Sequence, residues 1–262
     1  MKTQCVTTIL ALLGTIFGAN AQVIETVEYP SADRTHRSFL AHSPDVATKR
    51  PAVLILPEWW GLNLHARTVA HDMADLGYVA LAVDMYGDGQ LAENPDQATA
   101  LVTEVLTTPG AVHERFEAAL EFLKKQPGVD PERIVVIGYC FGGRVALENA
   151  RRGLKVAGIF TLHGILDSDE TAKPGTIRSP IHVFNGAADP MVNDETVLKF
   201  TREMLTAGAP FTITSYPGAQ HSFTKPEATV VGKKFKMPLA YDPEAAQDSR
   251  RTIDAFLSRL RK

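Results

Sequence analysis

Short apolar runs alternate with longer amphipathic stretches along most of this chain. Runs of this length are typical of buried strands, and stretches that repeat apolar residues every three or four positions are typical of helices. The predicted strands are 23–29, 38–42, 52–56, 79–85, 134–138, 156–162, 181–185 and 211–215, and the predicted helices are 63–76, 94–106, 111–125, 195–207 and 244–260. The alternation predicts an α/β class with a doubly wound, mostly parallel sheet and an antiparallel N-terminal edge.

One segment, Ser222 to Asp242, has little periodicity and contains four lysines and two prolines. It is typical of a solvated surface loop. Because long loops in compact domains are often functional, a flap that borders a binding pocket is the alternative. In that case Lys225 is the best candidate to bring positive charge towards an acidic ligand.

Composition favours one enzyme-sized domain. The chain has 262 residues, of which 45% are hydrophobic and 22% charged, which is enough for one substantial core. Its net charge of −3 and the lack of a sustained basic run argue against nucleic acid and against stable membrane association. We find no pair of His or Cys residues at ligand spacing, so we expect no metal and no other cofactor.

The N-terminus has the pattern of a secretory signal peptide. Lys2 precedes an apolar run from Val6 to Phe17, and Ala19-Asn20-Ala21 offers a small-residue cleavage site. We therefore expect residues 1–21 to be cleaved, leaving a single domain over 22–262 that is secreted or periplasmic. Cys140 would then be the only cysteine left. An unpaired thiol is a liability in an oxidising compartment unless it has a function.

The most informative motif is the passage from the apolar strand at 134–137 into Gly138-Tyr139-Cys140-Phe141-Gly142-Gly143. Such a strand–turn–helix passage with small flanking residues is typical of a nucleophile elbow, in which the turn holds the nucleophile in a strained conformation. The start of the following helix favours thiolate over thiol at Cys140. The alternative is a buried, inert cysteine at a strand end.

Partners for a nucleophile follow in the chain order nucleophile, acid, histidine. Asp189 lies on a loop just after the strand at 181–185, and His221 follows the strand at 211–215. The carboxyl ends of these strands share one edge of the sheet, where ligands bind in open α/β sheets. His163 ends another strand at the same edge and is the rival base, but its position does not fit the chain order.

Four motifs together resemble the dienelactone hydrolase family. They are Pro57-Glu58-Trp59-Trp60-Gly61-Leu62-Asn63, Gly138 to Gly143, Ala188-Asp189 and Gln220-His221-Ser222-Phe223, and the resemblance runs from about Ile24 to the C-terminus. It implies an α/β-hydrolase fold and the hydrolysis of an ester or lactone bond in a small molecule. It also implies a triad of Cys140, His221 and Asp189 that works through a thioester acyl-enzyme.

Further roles follow from the same resemblance. Glu58 would contact the resting thiol and help to deprotonate it when substrate binds. The backbone N–H groups of Trp59 and Phe141 would form the oxyanion hole. Three further residues are candidates for substrate contact, namely Trp60, His163 and Lys225.

Two departures bear on the substrate. Enzymes that open dienelactone hold its carboxylate with two arginines, whereas Asp84 to Gly89 contains no arginine here and Lys225 replaces the second one. Lysine keeps the positive charge but lacks the paired N–H groups with which arginine binds both oxygens of a carboxylate. We therefore expect a broader esterase or lactonase. A thiol redox protein that uses Cys140, and a non-catalytic binding protein on a hydrolase fold, remain the alternatives.

Overall fold

The structure is a computed structural model that describes residues 22–45 and 47–261. The predicted signal peptide lies outside the described residues. The strands are β1 Val23–Pro30, β2 Thr35–His42, β3 Arg50–Leu56, β4 Val79–Ala82, β5 Val129–Tyr139, β6 Gly158–Leu162, β7 Ile181–Gly186 and β8 Phe211–Tyr216. The helices are α1 Leu64–Asp75, α2 Pro95–Thr107, α3 Ala111–Lys124, α4 Phe141–Arg151, α5 Asp194–Ala207, α6 Ala228–Phe235 and α7 Pro243–Leu260. None of these helices is both long and apolar enough to cross a membrane.

The eight strands form one sheet in the order β1-β2-β4-β3-β5-β6-β7-β8. β1 and β2 are antiparallel to each other, and β2 is antiparallel to β4, whereas β4, β3 and β5 to β8 are all parallel. The predicted parallel sheet with an antiparallel N-terminal edge is therefore confirmed. Its parallel strands end at one edge, which brings the loops after β3, β5, β7 and β8 together.

The core lies on both faces of the sheet. Residues Pro51–Leu56 of β3 are all buried, as expected for a central parallel strand covered on two sides. Leu54 faces the layer that contains Phe116 of α3, and Val53 faces the layer that contains Met73 of α1. Because both faces of β3 and β5 are buried, their sequences are continuous apolar runs rather than alternating apolar and polar residues.

Several of the predicted helices begin at side-chain caps, whereas α3 begins at Gly110 without one. Asn63, Asn94 and Asn193 each accept a hydrogen bond from a backbone N–H in the first turn of α1, α2 and α5. Gly208 ends α5 in the left-handed region with φ +65°. The strand predicted at 79–85 is shorter than expected, because the chain leaves the sheet after Ala82 and the side chain of Asp84 organises the next loop.

The segment Ser222 to Asp242 is not the irregular loop that its sequence suggests. It contains helix α6, which is held by tertiary contacts. A Cβ on Gly232 would lie 2.4 Å from the Leu239 carbonyl oxygen, so only glycine allows the following chain to fold back this closely. Phe235 packs against Trp60 with ring centroids 5.9 Å apart. An eight-residue helix stabilised in this way gives little periodic signal.

A buried arginine joins the β1–β2 turn to the helical layer. Arg115 on α3 is 0% exposed, and its Nη2 donates to Asp33 at 2.6 Å and to Glu104 at 3.0 Å. Its Nη1 donates to the Met85 carbonyl at 3.1 Å. A buried guanidinium is tolerated only when it is paired in this way, so the network fixes the loop after β4.

Replacing Arg115 with methionine should lower the free energy of unfolding by about 2 kcal/mol, because the variant leaves Asp33 and Glu104 without their buried partner. Urea denaturation measures this change. The matched control is Arg37→Met, since the Arg37 side chain is 53% exposed in its ion pair with Glu28. Exposed pairs contribute little, so a loss in the control equal to that in Arg115→Met would contradict the prediction.

Candidate active site

Cys140 occupies the turn between β5 and α4. Its backbone has φ +51° and ψ −113°, a strained region for a residue with a side chain. Its N–H donates to the Leu162 carbonyl at 3.2 Å, which anchors the turn on β6. The residue is 6% exposed and stands immediately before the first turn of α4.

Three glycines make this turn sterically feasible. A Cβ on Gly138 would lie 2.4 Å from the Gly142 carbonyl oxygen, and one on Gly142 would lie 2.2 Å from the Leu56 carbonyl oxygen. A Cβ on Gly143 would lie 2.4 Å from Oγ1 of Thr161. These contacts are shorter than atoms can approach, so the chain needs glycine at all three positions to start α4 against the sheet.

Asp189 and His221 meet at the same edge of the sheet. His221 Nδ1 and Asp189 Oδ2 are 2.7 Å apart and buried. The other oxygen of Asp189 accepts from the Met191 N–H at 2.8 Å, which fixes the carboxylate. Burial alone lowers the pKa of His221, but the negative charges of Cys140 and Asp189 outweigh burial and raise the pKa to about 10.

The second ring nitrogen of His221 is free to act on another group. Its Nε2 is buried and has no hydrogen-bond partner among residues 22–45 and 47–261. The Cys140 charge acts on this ring, which places the thiol beside the imidazole. In the absence of substrate such contacts are often longer than a hydrogen bond and tighten when the substrate binds.

Glu58 lies on the loop after β3 and is buried in a separate polar cluster. Its Oε1 accepts from the Ser222 hydroxyl at 2.9 Å, and its Oε2 lies 3.2 Å from Lys225 Nζ. Burial raises the pKa of Glu58, but the charges of Lys225, His65 and His163 and the Ser222 hydrogen bond together outweigh burial, and the pKa falls to about 2. Within the described chain no hydrogen bond joins Glu58 to Cys140, so its resting partners are Ser222 and Lys225.

Lys225 itself is only 6% exposed. Besides Glu58, it lies 3.8 Å from a carboxylate oxygen of Glu227. Lys225 is therefore not solvated, as the surface-loop prediction required, and its charge is compensated by Glu58 in the interior.

His163 is buried next to His221. Its Nε2 is 2.9 Å from the Thr224 hydroxyl, and its ring centroid is 5.2 Å from that of His221. Burial, followed by the nearby His221 charge, lowers the pKa of His163 well below its ordinary value. Its Nδ1 has no hydrogen-bond partner in the described part of the chain. Without an acid to orient and charge it, His163 is the weaker candidate for the base.

The N–H groups of Trp59 and Phe141 face no acceptor within the described part of the chain. The loops that carry them are joined, since the Gly142 N–H donates to the Pro57 carbonyl at 3.1 Å. Trp60 packs edge-on against Trp59 with ring centroids 5.1 Å apart. Two backbone donors on neighbouring loops are therefore left without a bonded acceptor in the described part of the chain.

Two further residues of the site, Ser222 and Tyr86, are given no role by the sequence analysis, although Ser222 lies within one of the motifs. Ser222 has φ +58° and bonds to Glu58, a contact between residues far apart in sequence. The hydroxyl of Tyr86 donates to the Trp59 carbonyl at 2.7 Å. The only sequence signal for Tyr86 is its place two residues after Asp84, at a strand end.

Comparisons with known proteins identify the family. The family model described as the dienelactone hydrolase family matches residues 37–260. The chain belongs to the dienelactone hydrolase family. An Aquifex aeolicus protein provisionally named a carboxymethylenebutenolidase is 28% identical over 200 residues, covering 75% of this chain and 82% of that protein. A protein of Bradyrhizobium sp, provisionally named a 2-oxo-3-(5-oxofuran-2-ylidene)propanoate lactonase, is 28% identical over 214 residues, covering 76% of this chain and 84% of its own length.

Solved structures of family members agree with this assignment. The crystal structure of a dienelactone hydrolase-like promiscuous phosphotriesterase from metagenomic libraries matches with a TM-score of 0.85 and 33% identity, covering 92% of this chain and 99% of that chain. The chain therefore has the α/β-hydrolase fold. As a dienelactone hydrolase family member it is a hydrolase of carboxylic ester or lactone bonds and acts on a small-molecule substrate.

The low pKa of Glu58 makes the stability of the fold sensitive to acid. The folded-state pKa of Glu58 is about 2 and lies below the ordinary 4.5, so the ionised carboxylate stabilises the fold above pH 4.5. That contribution is lost as the pH falls towards 2. Glu58→Gln should lower the free energy of unfolding at pH 7 by about 3 kcal/mol, because Lys225 loses its buried partner. The free energy of unfolding of Glu58→Gln should also change less between pH 4.5 and 2 than that of the wild type.

Urea unfolding at a series of pH values measures both effects. Glu28→Gln is the control, because the Glu28 side chain is 57% exposed and pairs only at the surface. It should keep the wild-type pH dependence. A Glu58→Gln variant with wild-type stability at pH 7 and a wild-type acid transition would contradict the prediction.

Proposed function

We propose that this protein hydrolyses small ester or lactone substrates with a Cys140, His221 and Asp189 triad and a thioester acyl-enzyme. The observation that carries the proposal is the buried 2.7 Å contact between His221 Nδ1 and Asp189 Oδ2, with Cys140 on a strained turn beside the same ring. An acid that orients a base beside a nucleophile is the arrangement that acyl transfer requires.

Acylation begins with the attack of the Cys140 thiolate on the substrate carbonyl carbon. A C–S bond forms, and the carbonyl oxygen takes up the negative charge. The N–H groups of Trp59 and Phe141 stabilise this oxyanion, each by about 3 kcal/mol on the scale of other hydrolases. The tetrahedral intermediate collapses with cleavage of the C–O bond, and protonated His221 gives its proton to the leaving alkoxide.

Deacylation uses the same groups in reverse. His221 Nε2 takes a proton from a water molecule, whose oxygen attacks the thioester carbonyl. The C–S bond breaks, the Cys140 thiolate returns and the carboxylic acid product leaves. Throughout both steps Asp189 accepts a hydrogen bond from the Nδ1–H group of His221. It therefore keeps the imidazole ring in one orientation and stabilises the imidazolium.

The family resemblance also assigns Glu58 the task of helping to deprotonate the thiol. The ionised carboxylate that this role needs is the form that Lys225 favours, and its pKa rises, which makes it a stronger base, once it leaves Lys225. Its resting hydrogen bonds are made to Ser222 and Lys225. Under this proposal the carboxylate leaves these partners when substrate binds and then approaches Cys140.

The substrate class follows from the charges and from the aromatic wall. Lys225 is compensated by Glu58, and the loop Asp84 to Gly89 has no arginine, so a free cation for a substrate carboxylate is not evident in the described site. Trp59 and Trp60 on the loop after β3 form a contiguous aromatic group with Phe235 of α6. We therefore propose neutral esters and lactones, with Trp60, His163 and Lys225 as pocket residues.

Names of the relatives extend the list of substrates to assay. The lactonase and carboxymethylenebutenolidase names support lactones as a class. The metagenomic relative is named a promiscuous phosphotriesterase, so aryl phosphotriesters are a second class to test. We also propose export through cleavage after Ala21, which is supported by the sequence pattern of residues 1–21.

Kinetics of triad variants test the proposal. Wild-type protein beginning at Gln22 should hydrolyse short-chain aryl esters and small lactones, whereas Cys140→Ala should lose at least about a thousandfold in kcat/KM. His221→Gln should fall by a similar factor, because no other group replaces the base.

A matched histidine variant controls for general damage. His182→Gln alters a half-buried histidine on β7 whose Nδ1 contacts the Thr212 hydroxyl, away from Cys140, and should keep wild-type kinetics. Full activity in Cys140→Ala would exclude the triad. Absence of any ester or lactone hydrolysis by the wild type, together with reversible mixed-disulfide formation at Cys140, would instead favour the redox alternative.

A further inference from the structure

The turn that carries Trp59 is held at three consecutive carbonyl groups. The Glu58 carbonyl accepts from the Gly61 N–H at 3.0 Å, and the Trp60 carbonyl accepts from the Ala92 N–H at 3.1 Å. The carbonyl between them, that of Trp59, accepts at 2.7 Å from the hydroxyl of Tyr86. Two of the three bonds come from the backbone, so among residues 22–45 and 47–261 Tyr86 is the only side chain that bonds to these carbonyls.

Tyr86 is itself rigidly placed. Its side chain is fully buried, and its N–H donates to Oδ1 of Asp84 at 3.1 Å. Its carbonyl accepts from Nη1 of Arg34 at 3.0 Å, and the preceding carbonyl accepts from Arg115. Hydrogen bonds with three other side chains thus hold the backbone at Tyr86, which makes its hydroxyl a fixed support rather than an adaptable contact.

The ring of Tyr86 also reaches the second loop of the site. It stacks on the Phe141 ring with a centroid distance of 6.0 Å and an interplanar angle of 19°. Burial, and secondarily the Cys140 charge, raise the pKa of Tyr86, so the phenol remains a protonated donor across the working pH range. The Tyr86 side chain therefore contacts both Trp59 and Phe141, the two residues whose N–H groups would donate to the oxyanion.

We propose that Tyr86 is a positioning residue for the oxyanion hole, because its hydroxyl fixes the Trp59 turn and its ring fixes Phe141. This inference rests on the function proposed above. Oxyanion stabilisation depends on donors that are aligned before the reaction, and a small displacement of one donor weakens the transition state far more than the ground state. Tyr86 would act entirely through these two residues and would not touch the substrate.

Tyr86→Phe tests this role, because it removes the hydroxyl and keeps the ring. We expect kcat to fall about tenfold with KM nearly unchanged, since only the transition-state interaction is weakened. A trifluoromethyl ketone that adds to the thiol and forms an oxyanion should lose a similar factor in affinity. The carboxylic acid product, which carries no tetrahedral oxyanion, should bind as it does to the wild type.

Tyr216→Phe is the matched control, because the Tyr216 hydroxyl donates to Asp248 of α7 at 2.9 Å and belongs to no loop of the site. It should leave kcat and both affinities unchanged. Wild-type kcat and wild-type ketone affinity in Tyr86→Phe would overturn the inference, and so would a loss confined to KM. Failure of the triad proposal is distinguishable, because it would appear as full activity in Cys140→Ala.

Discussion

The close approach of α4 to the ends of β3 and β5 is the constraint on which the site depends. Gly142 lies against the Leu56 carbonyl so tightly that a methyl group has no room, and its N–H donates to Pro57. The same contact places Cys140 at the head of α4 and joins it to the loop that carries Glu58 and Trp59. A larger residue at the elbow would separate the nucleophile from both.

Two compensated charge clusters then share one loop. His221 pairs with Asp189, and four residues further on Lys225 pairs with Glu58. The two clusters contact each other through His163, which touches His221 and hydrogen-bonds to Thr224. Because each buried charge has its own partner, the site carries several ionised groups at a cost that the fold tolerates. The arrangement also keeps Glu58 ionised without using the thiol as its partner.

The sheet and most helices were predictable because burial alone determines their pattern. Continuous apolar runs identify β3 and β5, and apolar residues that recur every three or four positions identify most of the helices. Helix α6 was not predictable, since packing of Gly232 against Leu239 and of Phe235 against Trp60 stabilises it, and neither contact has a local signature.

The site was predictable only as far as strand ends and motifs define it. The elbow glycines, the Asp189 loop and the His221 loop carry their own sequence signals. The burial of Lys225, its pairing with Glu58 across 167 positions and the support from Tyr86 are tertiary contacts. A lysine in an aperiodic segment is typical of a solvated position, and only the folded chain reveals the buried carboxylate beside it.

Acylation of Cys140 can be tested by the intact mass of protein that is quenched with acid while it hydrolyses a slow ester. We expect a mass increase equal to the acyl group, located on Cys140 by peptide mapping and lost on treatment with hydroxylamine, which cleaves thioesters. An acyl group on another residue, or burst kinetics with the same ester but no adduct on Cys140, would contradict this mechanism.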